Sequence, residues 1–442
     1  MKLSIIMPSL NVANYIDECI ISVQNQTLKD IEIICVDAGS TDGTREILQG
    51  YADLDSRIKI IDSNVKSYGY QMNLGLDNAE GEYIGIVETD DYVSNDMFEK
   101  LYEKTRKEHP DFVKSAYREF FIRGDKKYGK HVYSVNIKNR SGELIDLDAE
   151  STYRLADINH IWSAIYKREF LEENRIRFNE TPGASFQDTS FSMIVGLTAK
   201  TCIYLNNHYY CYRTDRAESS VKSDSKIDCI INELDYVYKY IENNKIDIKS
   251  NDIALIKKKL DVYLWNAYRL TDTARQTFLE MIREDIIEIK NQYFAELDEE
   301  RQSYLEQLLD IEKMNAAEEM KLKDRNDIVS CIKKLMNDKC ILVGAGRYFD
   351  KLNEIQQIIG KNFIMGVCDN SKNLWGTEVN GYIVQSVDDA MANHKNEKWL
   401  IANRKFSEEI KKQLIEGGIH EADIKVVTYI PDVLEIVDEL LK

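Results

Sequence analysis

Apolar residues over roughly the first 95 positions fall into short unbroken runs separated by stretches of helical spacing. "LSIIMP", "IEIICVD", "RIKIID" and "GEYIGIVE" are runs rich in Val and Ile. Such runs predict strands covered on both faces, as in a parallel sheet. Between them, "YIDECIISVQNQ", "TDGTREILQGYA" and "YGYQMNLGLDNA" read as helices, the second with Thr41 or Asp42 as N-cap. This alternation predicts a doubly wound α/β domain, which takes ligands at the carboxyl ends of its strands. Those ends carry Pro8 and Ser9, then Asp37, then the acids from Glu88 to Asp91.

Residues 96–222 read as a mixed continuation of the same domain, with "HIWSAIYKREFLEENRIRF" a strand followed by a helix and "SFQDTSFSMIVGLTA" a loop entering a helix. From about residue 225 the pattern is helical throughout, rich in Lys, Glu, Ile, Leu and Tyr, and its charge reads as a solvated face. From 338 a second strand–helix alternation begins, with "KCILVGAG", "FIMGVCDN", "KWLIANR" and "IKVVTY" as strands. The expected organisation is therefore an α/β domain over 1–224, a helical region over 225–337, and a small Rossmann-like α/β domain over 338–442. No short internal repeat or low-complexity tract interrupts it.

Composition narrows the function. A chain of 442 residues is too long for one core, and 43% hydrophobic residues are enough to build more than one. The balance of 58 Lys+Arg against 76 Asp+Glu gives a net charge of -18. That argues against nucleic acid as the main partner, while leaving room for a local basic patch. The eight cysteines are scattered without a C-x-x-C pair and read as reduced, buried thiols. The N-terminus lacks a signal-peptide pattern, and no stretch approaches the roughly 18 apolar residues of a membrane span. The expected location is cytoplasmic, with contact at the inner face of the membrane left open.

The stretch "GIVETDDYVS" places Glu88, Asp90 and Asp91 within four positions after a buried-looking run. Alone, this reads equally well as a solvated strand-end loop or as a site awaiting a cation. Hard divalent ions prefer carboxylate oxygens, so the cluster would suit a cation of that kind. "SFQDTSF" places Asp188 at the start of a helix, where an Asp is commonly an N-cap.

Together, "SIIMPSLNVANYIDECIISVQNQTLKDIEIICVDAGSTDGTREIL", "NLGLDNAEGEYIGIVETDDYVSNDMFEKLY", "SFQDTSF" and "YYCYRTDR" resemble the family-2 inverting glycosyltransferases of the GT-A fold, over roughly residues 3–220. The resemblance implies a nucleotide-sugar donor, UDP-linked, and a glycan, glycolipid or cell-surface polymer as acceptor. It implies that Glu88, Asp90 and Asp91 stand at the D-x-D motif that holds Mn²⁺ or Mg²⁺ against the diphosphate, with Glu88 where Asp is usual and the ligand left between Asp90 and Asp91. It implies that Pro8, Ser9, Asp37, Asp90 and Arg213 face the nucleotide, with Asp37 on the uracil and Arg213 on the diphosphate. An ion pair is an equal reading for Arg213. The family's Arg before the Asn of "GYQMNLGL" is replaced by Met72, which leaves Lys66 or Arg213 to supply that charge. Asp188 matches the general base. Gln187 stands where the family has Glu, and Trp162 where it has an aromatic wall to the acceptor.

The C-terminal "VGAGRYF" opens like a dinucleotide fingerprint, but Phe349 replaces its third Gly, and Asp369 follows the next strand where a ribose-binding acid would sit. Two further readings stay open: a non-catalytic sugar-nucleotide sensor or scaffold, and a nucleotidyltransferase. A homo-oligomer built on the helical region is also compatible with the sequence.

Overall fold

The computed structural model describes residues 1–442 except 134, 136, 138–139, 157–159, 217–223 and 249–251. The four apolar runs at the start are strands β1 (Leu3–Ser9), β2 (Ile31–Asp37), β3 (Ile58–Asp62) and β4 (Tyr83–Ile86). Helices α1 (Ile16–Gln24), α2 (Thr44–Ala52) and α3 (Tyr68–Asp77) connect them. Every residue of β1, β2 and β4 is buried, as strands covered on both faces must be. There follow β5 (Tyr92–Val93), α4 (Met97–Glu108), β6 (Phe112–Arg123), β7 (Lys126–Val132), β8 (Leu144–Asp146), β9 (Ala164–Lys167), α5 (Arg168–Glu173), α6 (Gln187–Thr198) and β10 (Thr201–Arg213).

Among the described residues the first sheet has the order β3-β2-β1-β4-β9-β6-β10-β5, with β8 beside β10. Strands β1 to β4 are parallel, β9 runs against both its neighbours, and β10 is parallel to β6. This is a GT-A-type α/β sheet. The carboxyl ends of β1, β2 and β4 lie side by side, because Ile6 pairs with both Ile34 and Ile86.

The helical stretch comprises α7 (Cys229–Asn244), α8 (Asp252–Arg269), α9 (Asp272–Tyr293), α10 (Glu299–Leu309) and α11 (Ile311–Asp338). Contacts divide the chain into two units: Met1–Phe121 with His131–Ile311, and Ile122–Lys130 with Glu312–Lys442. Helices α7 to α10 thus fold within the first unit, where α7 packs on α6.

The second unit holds β11 (Cys340–Val343), α12 (Arg347–Ile359), β12 (Ile364–Asp369), β13 (Glu378–Val379), β14 (Tyr382–Ser386), α13 (Val387–Asn393), β15 (Trp399–Ala402), α14 (Ser407–Glu416), β16 (Ile424–Val427) and α15 (Val433–Leu441). Its sheet order is β13-β14-β12-β11-β15-β16, parallel except for the β13–β14 edge, around a core that includes Trp399, Ile401 and Leu414. Among the described residues no helix is long and apolar enough to cross a membrane.

Candidate active site

One cavity of about 800 Å³ opens at the carboxyl ends of the first sheet. Its wall gathers Pro8 and Ser9 from β1, Glu88 and Asp90 after β4, Gln187 and Asp188 from α6, and Trp162 and His160 before β9. Lys66, Tyr68, Tyr212 and Arg216 are among its other polar residues, and Ile230, Val262 and Trp265 bring α7 and α8 to it. Segments far apart in the chain therefore converge on one space.

Short polar ties fix this convergence. Gln71 donates to the carbonyls of Ser9 at 3.0 Å and Val36 at 2.8 Å, clamping the ends of β1 and β2 together. The Thr89 hydroxyl donates to the Pro8 carbonyl at 2.8 Å. Asn73 pairs with the backbone of Phe178, donating to its carbonyl at 3.0 Å and accepting from its N–H at 2.9 Å. Gly69 is needed beside it: a Cβ there would lie 1.9 Å from the Asn179 carbonyl oxygen. The motif "GYQMNLGL" thus positions the loop that leads to Asp188, while Met72 is buried in the core.

The strand-end acids separate into different roles. Asp90 lines the cavity and its carboxylate accepts from Arg216 at 2.8 Å. Glu88 also lines it and accepts from the Tyr68 hydroxyl at 2.6 Å. Burial, reinforced by the neighbouring Asp90 charge, pushes the Glu88 carboxyl up to about 8 against the pull of that hydrogen bond. Asp91 is turned the other way. It is 2% exposed and accepts from the Tyr210 hydroxyl at 2.8 Å and the Arg213 N–H at 2.7 Å, and burial holds its carboxyl well above the usual range. Of the two adjacent acids left open as the metal ligand, Asp90 faces the cavity and Asp91 holds the turn to β10.

Arg213 does not line the cavity. Its guanidinium donates to the Asp90 carbonyl at 3.0 Å and to Glu18 at 3.0 Å, and it lies over the rings of Tyr15 and Phe120. The ion-pair reading describes it, and Arg216, three residues on, is the arginine that reaches the cavity. Asp37 is likewise 2% exposed and outside the cavity wall. Its carboxylate takes the N–H groups of Gly39 and Ser40 at 3.0 and 2.9 Å and the Ser40 hydroxyl at 2.5 Å. The turn-capping role read from "DAGSTDGT" is the one its contacts display.

Asp188 sits in the first turn of α6, facing the cavity. Burial pushes its carboxyl up to about 6, although His160, Lys114 and the helix-start N–H groups pull it down. Gln187 is 1% exposed and braces the loop before it. Its amide donates to the carbonyls of Thr181 and Gly183 at 3.1 and 3.0 Å and accepts from the Ser185 N–H at 2.6 Å. It is a support for Asp188, and its amide is spent on the loop rather than on an acceptor. Glu233 on α7 adds a second brace, accepting from Asn179 at 3.0 Å, Thr181 at 3.2 Å and the Ser190 hydroxyl. Trp162 forms a flat wall, with its ring centroid 4.1 Å from Tyr210 and 5.2 Å from Tyr212 in stacked geometry.

Among the described residues no group of three His, Cys, Asp or Glu could hold a metal ion. One or two carboxylates still suit Mg²⁺ or Mn²⁺ when phosphates and water supply the other ligands. Asp90, with Glu88 beside it, fits an ion of that kind.

In the second unit, a cavity of about 510 Å³ lies at the carboxyl ends of β11, β12 and β15, lined by Gly344, Asp369, Asn403 and Phe406 among others. Asp369 accepts from the Ala345 and Ser371 N–H groups at 2.9 and 2.7 Å, so both its oxygens tie the loops together. Phe349, at the place of the missing third Gly, is fully buried.

The sheet order is that of a GT-A-type α/β domain in the first unit. Residues 4–175 match the model of Glycosyl transferase family 2, so the N-terminal part of the chain is a family-2 glycosyltransferase domain. Residues 336–425 match a second model, described as C2185-like, N-terminal. The chain is 29% identical to Glycosyltransferase GlyA of Streptococcus pneumoniae serotype 4, over 63% of this chain and 40% of that protein. It is 32% identical to the uncharacterized glycosyltransferase EpsJ of Bacillus subtilis, over 48% of this chain and 60% of that one. The chain thus spans about half the length of these relatives. Among solved structures, S. aureus TarS 1-349 in complex with UDP aligns at 19% identity, over 71% of this chain and 82% of that one, with a TM-score of 0.42.

Proposed function

We propose that this protein is a metal-dependent inverting glycosyltransferase that moves a sugar from a UDP-linked donor to a hydroxyl of a glycan, glycolipid or cell-surface polymer. The observation that carries this reading is that Asp188, raised to about 6, faces the same cavity as Glu88, Asp90 and Arg216. A carboxylate poised near neutrality accepts a proton efficiently as the acceptor hydroxyl attacks. Asp188 takes that proton, the acceptor oxygen bonds to the anomeric carbon, and the bond from that carbon to the diphosphate breaks on the opposite face. The electron pair leaves with UDP. A divalent ion held by Asp90, with Glu88 adjacent, supplies positive charge for the departing diphosphate. Arg216 also lines this space and has a guanidinium suited to phosphate oxygens. Tyr212 and Trp162 offer flat apolar faces for sugar rings.

The test is a thermal-shift panel of nucleotide-sugars with and without Mn²⁺. A ligand of the native state raises stability with the logarithm of its excess over Kd. A UDP-sugar that stabilises the protein more with Mn²⁺ than without supports the reading. A panel without any such response, or near-normal transfer by Asp188→Asn, sinks it.

A further inference from the structure

The cavity of the second unit sits where a dinucleotide fold takes its phosphates, but its chemistry opposes an anion. In such folds the N–H groups of the Gly-rich turn receive a pyrophosphate. Here the Ala345 N–H of "VGAG" is already taken by the Asp369 carboxylate at 2.9 Å. Glu409 adds a second carboxylate to the wall. Among the described residues the lining includes no Lys, Arg or His. Lys405 lies outside the wall, with its ammonium 5.3 Å from the Phe406 centroid. A phosphate or carboxylate entering this space meets two negative charges and no cation in the wall.

What the wall offers is an aromatic ring beside amides. Phe406, Glu409 and Gln413 recur at helical spacing from the cap of α14 onward, which sets them along one face. The core takes Ile410 and Leu414 from the same helix, whereas Phe406 is 46% exposed. Asn370, just after β12, pairs with Gln413: each amide donates to the other, at 2.9 and 3.3 Å. Beyond that pair each keeps a further N–H and a further lone pair. The Asn403 side-chain oxygen accepts from the Lys405 and Phe406 N–H groups, both at 2.9 Å, which fixes that amide and the turn carrying the Phe406 ring. The Glu409 carboxylate has no hydrogen bond or ion pair among the described residues.

A pyranose has an apolar C–H face and a rim of hydroxyls that donate and accept. A half-exposed ring suits the first, and carboxamides with one carboxylate suit the second. The volume of about 510 Å³ is of the size that holds a small molecule. We propose that this cavity is a second sugar site, which takes a neutral pyranoside with its C–H face on Phe406 and its hydroxyls on Asn370, Glu409 and Gln413. The site stands apart from the transferase reading and depends on none of the groups assigned to it. A free sugar and a residue within a glycan chain share this chemistry.

The test is saturation-transfer NMR on the full chain, with UDP present, using the methyl glycosides of glucose, galactose and N-acetylglucosamine as neutral probes and ADP as the anionic one. At least one methyl glycoside should bind, with transfer strongest at its ring C–H protons. Phe406→Ala and Gln413→Ala should each weaken that binding by about fivefold or more. Calorimetric UDP affinity should stay within about twofold in both variants. If either melts early, Glu409→Gln, a change at an exposed position, must weaken the glycoside instead. Cellobiose separates the two sources: tighter binding than the methyl glucoside points to a glycan chain, equal or weaker binding to a free sugar, and either keeps the site. Binding of no neutral probe, binding that survives the substitutions, or ADP binding that Phe406→Ala removes overturns the proposal.

Discussion

Both sheets of this chain open a cavity at the carboxyl ends of their strands, and the two cavities carry different chemistry. In the first, Asp90 and Asp188 face the open space, and burial pushes Asp188 up to about 6. In the second, the corresponding strand-end acid, Asp369, spends both oxygens on backbone N–H groups. The strand-end rule locates a place for a ligand in each unit. What can happen there depends on whether the side chains at the edge are free to meet that ligand. The same distinction separates Asp90 from Asp91 within one turn.

The strongest way to break this contrast is to remove the carboxylate assigned to the proton. Asp188→Asn should lower transfer by about a hundredfold to ten-thousandfold, measured as donor turnover at saturating UDP-sugar. A loss confined to KM would mean that Asp188 positions substrate and takes no proton.

The inward acid should respond in stability. Asp91→Ala leaves the Tyr210 hydroxyl and the Arg213 N–H without their buried acceptor, a cost of about 1–3 kcal/mol in denaturant unfolding. Unchanged stability would show that Asp91 does not hold the turn.

A subtler test uses pH. The ordinary carboxyl value of Asp188 is 3.8 and its folded value is about 6, so the folded state favours the protonated form. Its contribution is fully present below about pH 4 and is lost as pH rises through about 6. Asp188→Asn should therefore raise the melting temperature at pH 8 relative to wild type, and change it less at pH 4. Turnover by the wild type should rise over the same interval, as the base loses its proton. A shift of equal size at both pH values would contradict the raised value.

The smallest effect is expected at Glu88. Held at about 8, it is protonated at pH 7, so Glu88→Gln should leave metal-free UDP affinity within about threefold at pH 7. A larger loss would mean that Glu88 meets the nucleotide as an anion.

Much of this was legible in the sequence because it rests on period and order. The unbroken Val/Ile runs are β1 to β4, and the strand-end rule points to Pro8, Ser9, Asp37 and the acids from Glu88 to Asp91, of which Asp37 and Asp91 lie outside the cavity wall. Which way a side chain turns was not legible, since it is set by partners distant in the chain. Asp91 points inward because Tyr210 and Arg213 of β10 receive it, more than a hundred positions later. Arg213 and Arg216 share one quoted stretch, yet only the path of the chain after β10 decides which reaches the cavity. Gln187 reads as a site residue beside Asp188, and only the folded loop shows its amide consumed by Thr181, Gly183 and Ser185. Trp265 gave no signal beyond an aromatic in a helical pattern, because its place in the wall depends on how α8 packs.

The central claim is that a diphosphate with its metal binds at the edge of the first sheet through Asp90. Calorimetric titration of UDP, with and without Mn²⁺, into wild type, Asp90→Ala and Asp369→Ala tests it directly. Mn²⁺ should tighten UDP binding by about tenfold or more in wild type and in Asp369→Ala, and the gain should vanish in Asp90→Ala. A gain that persists in Asp90→Ala, or disappears in Asp369→Ala, would contradict the account.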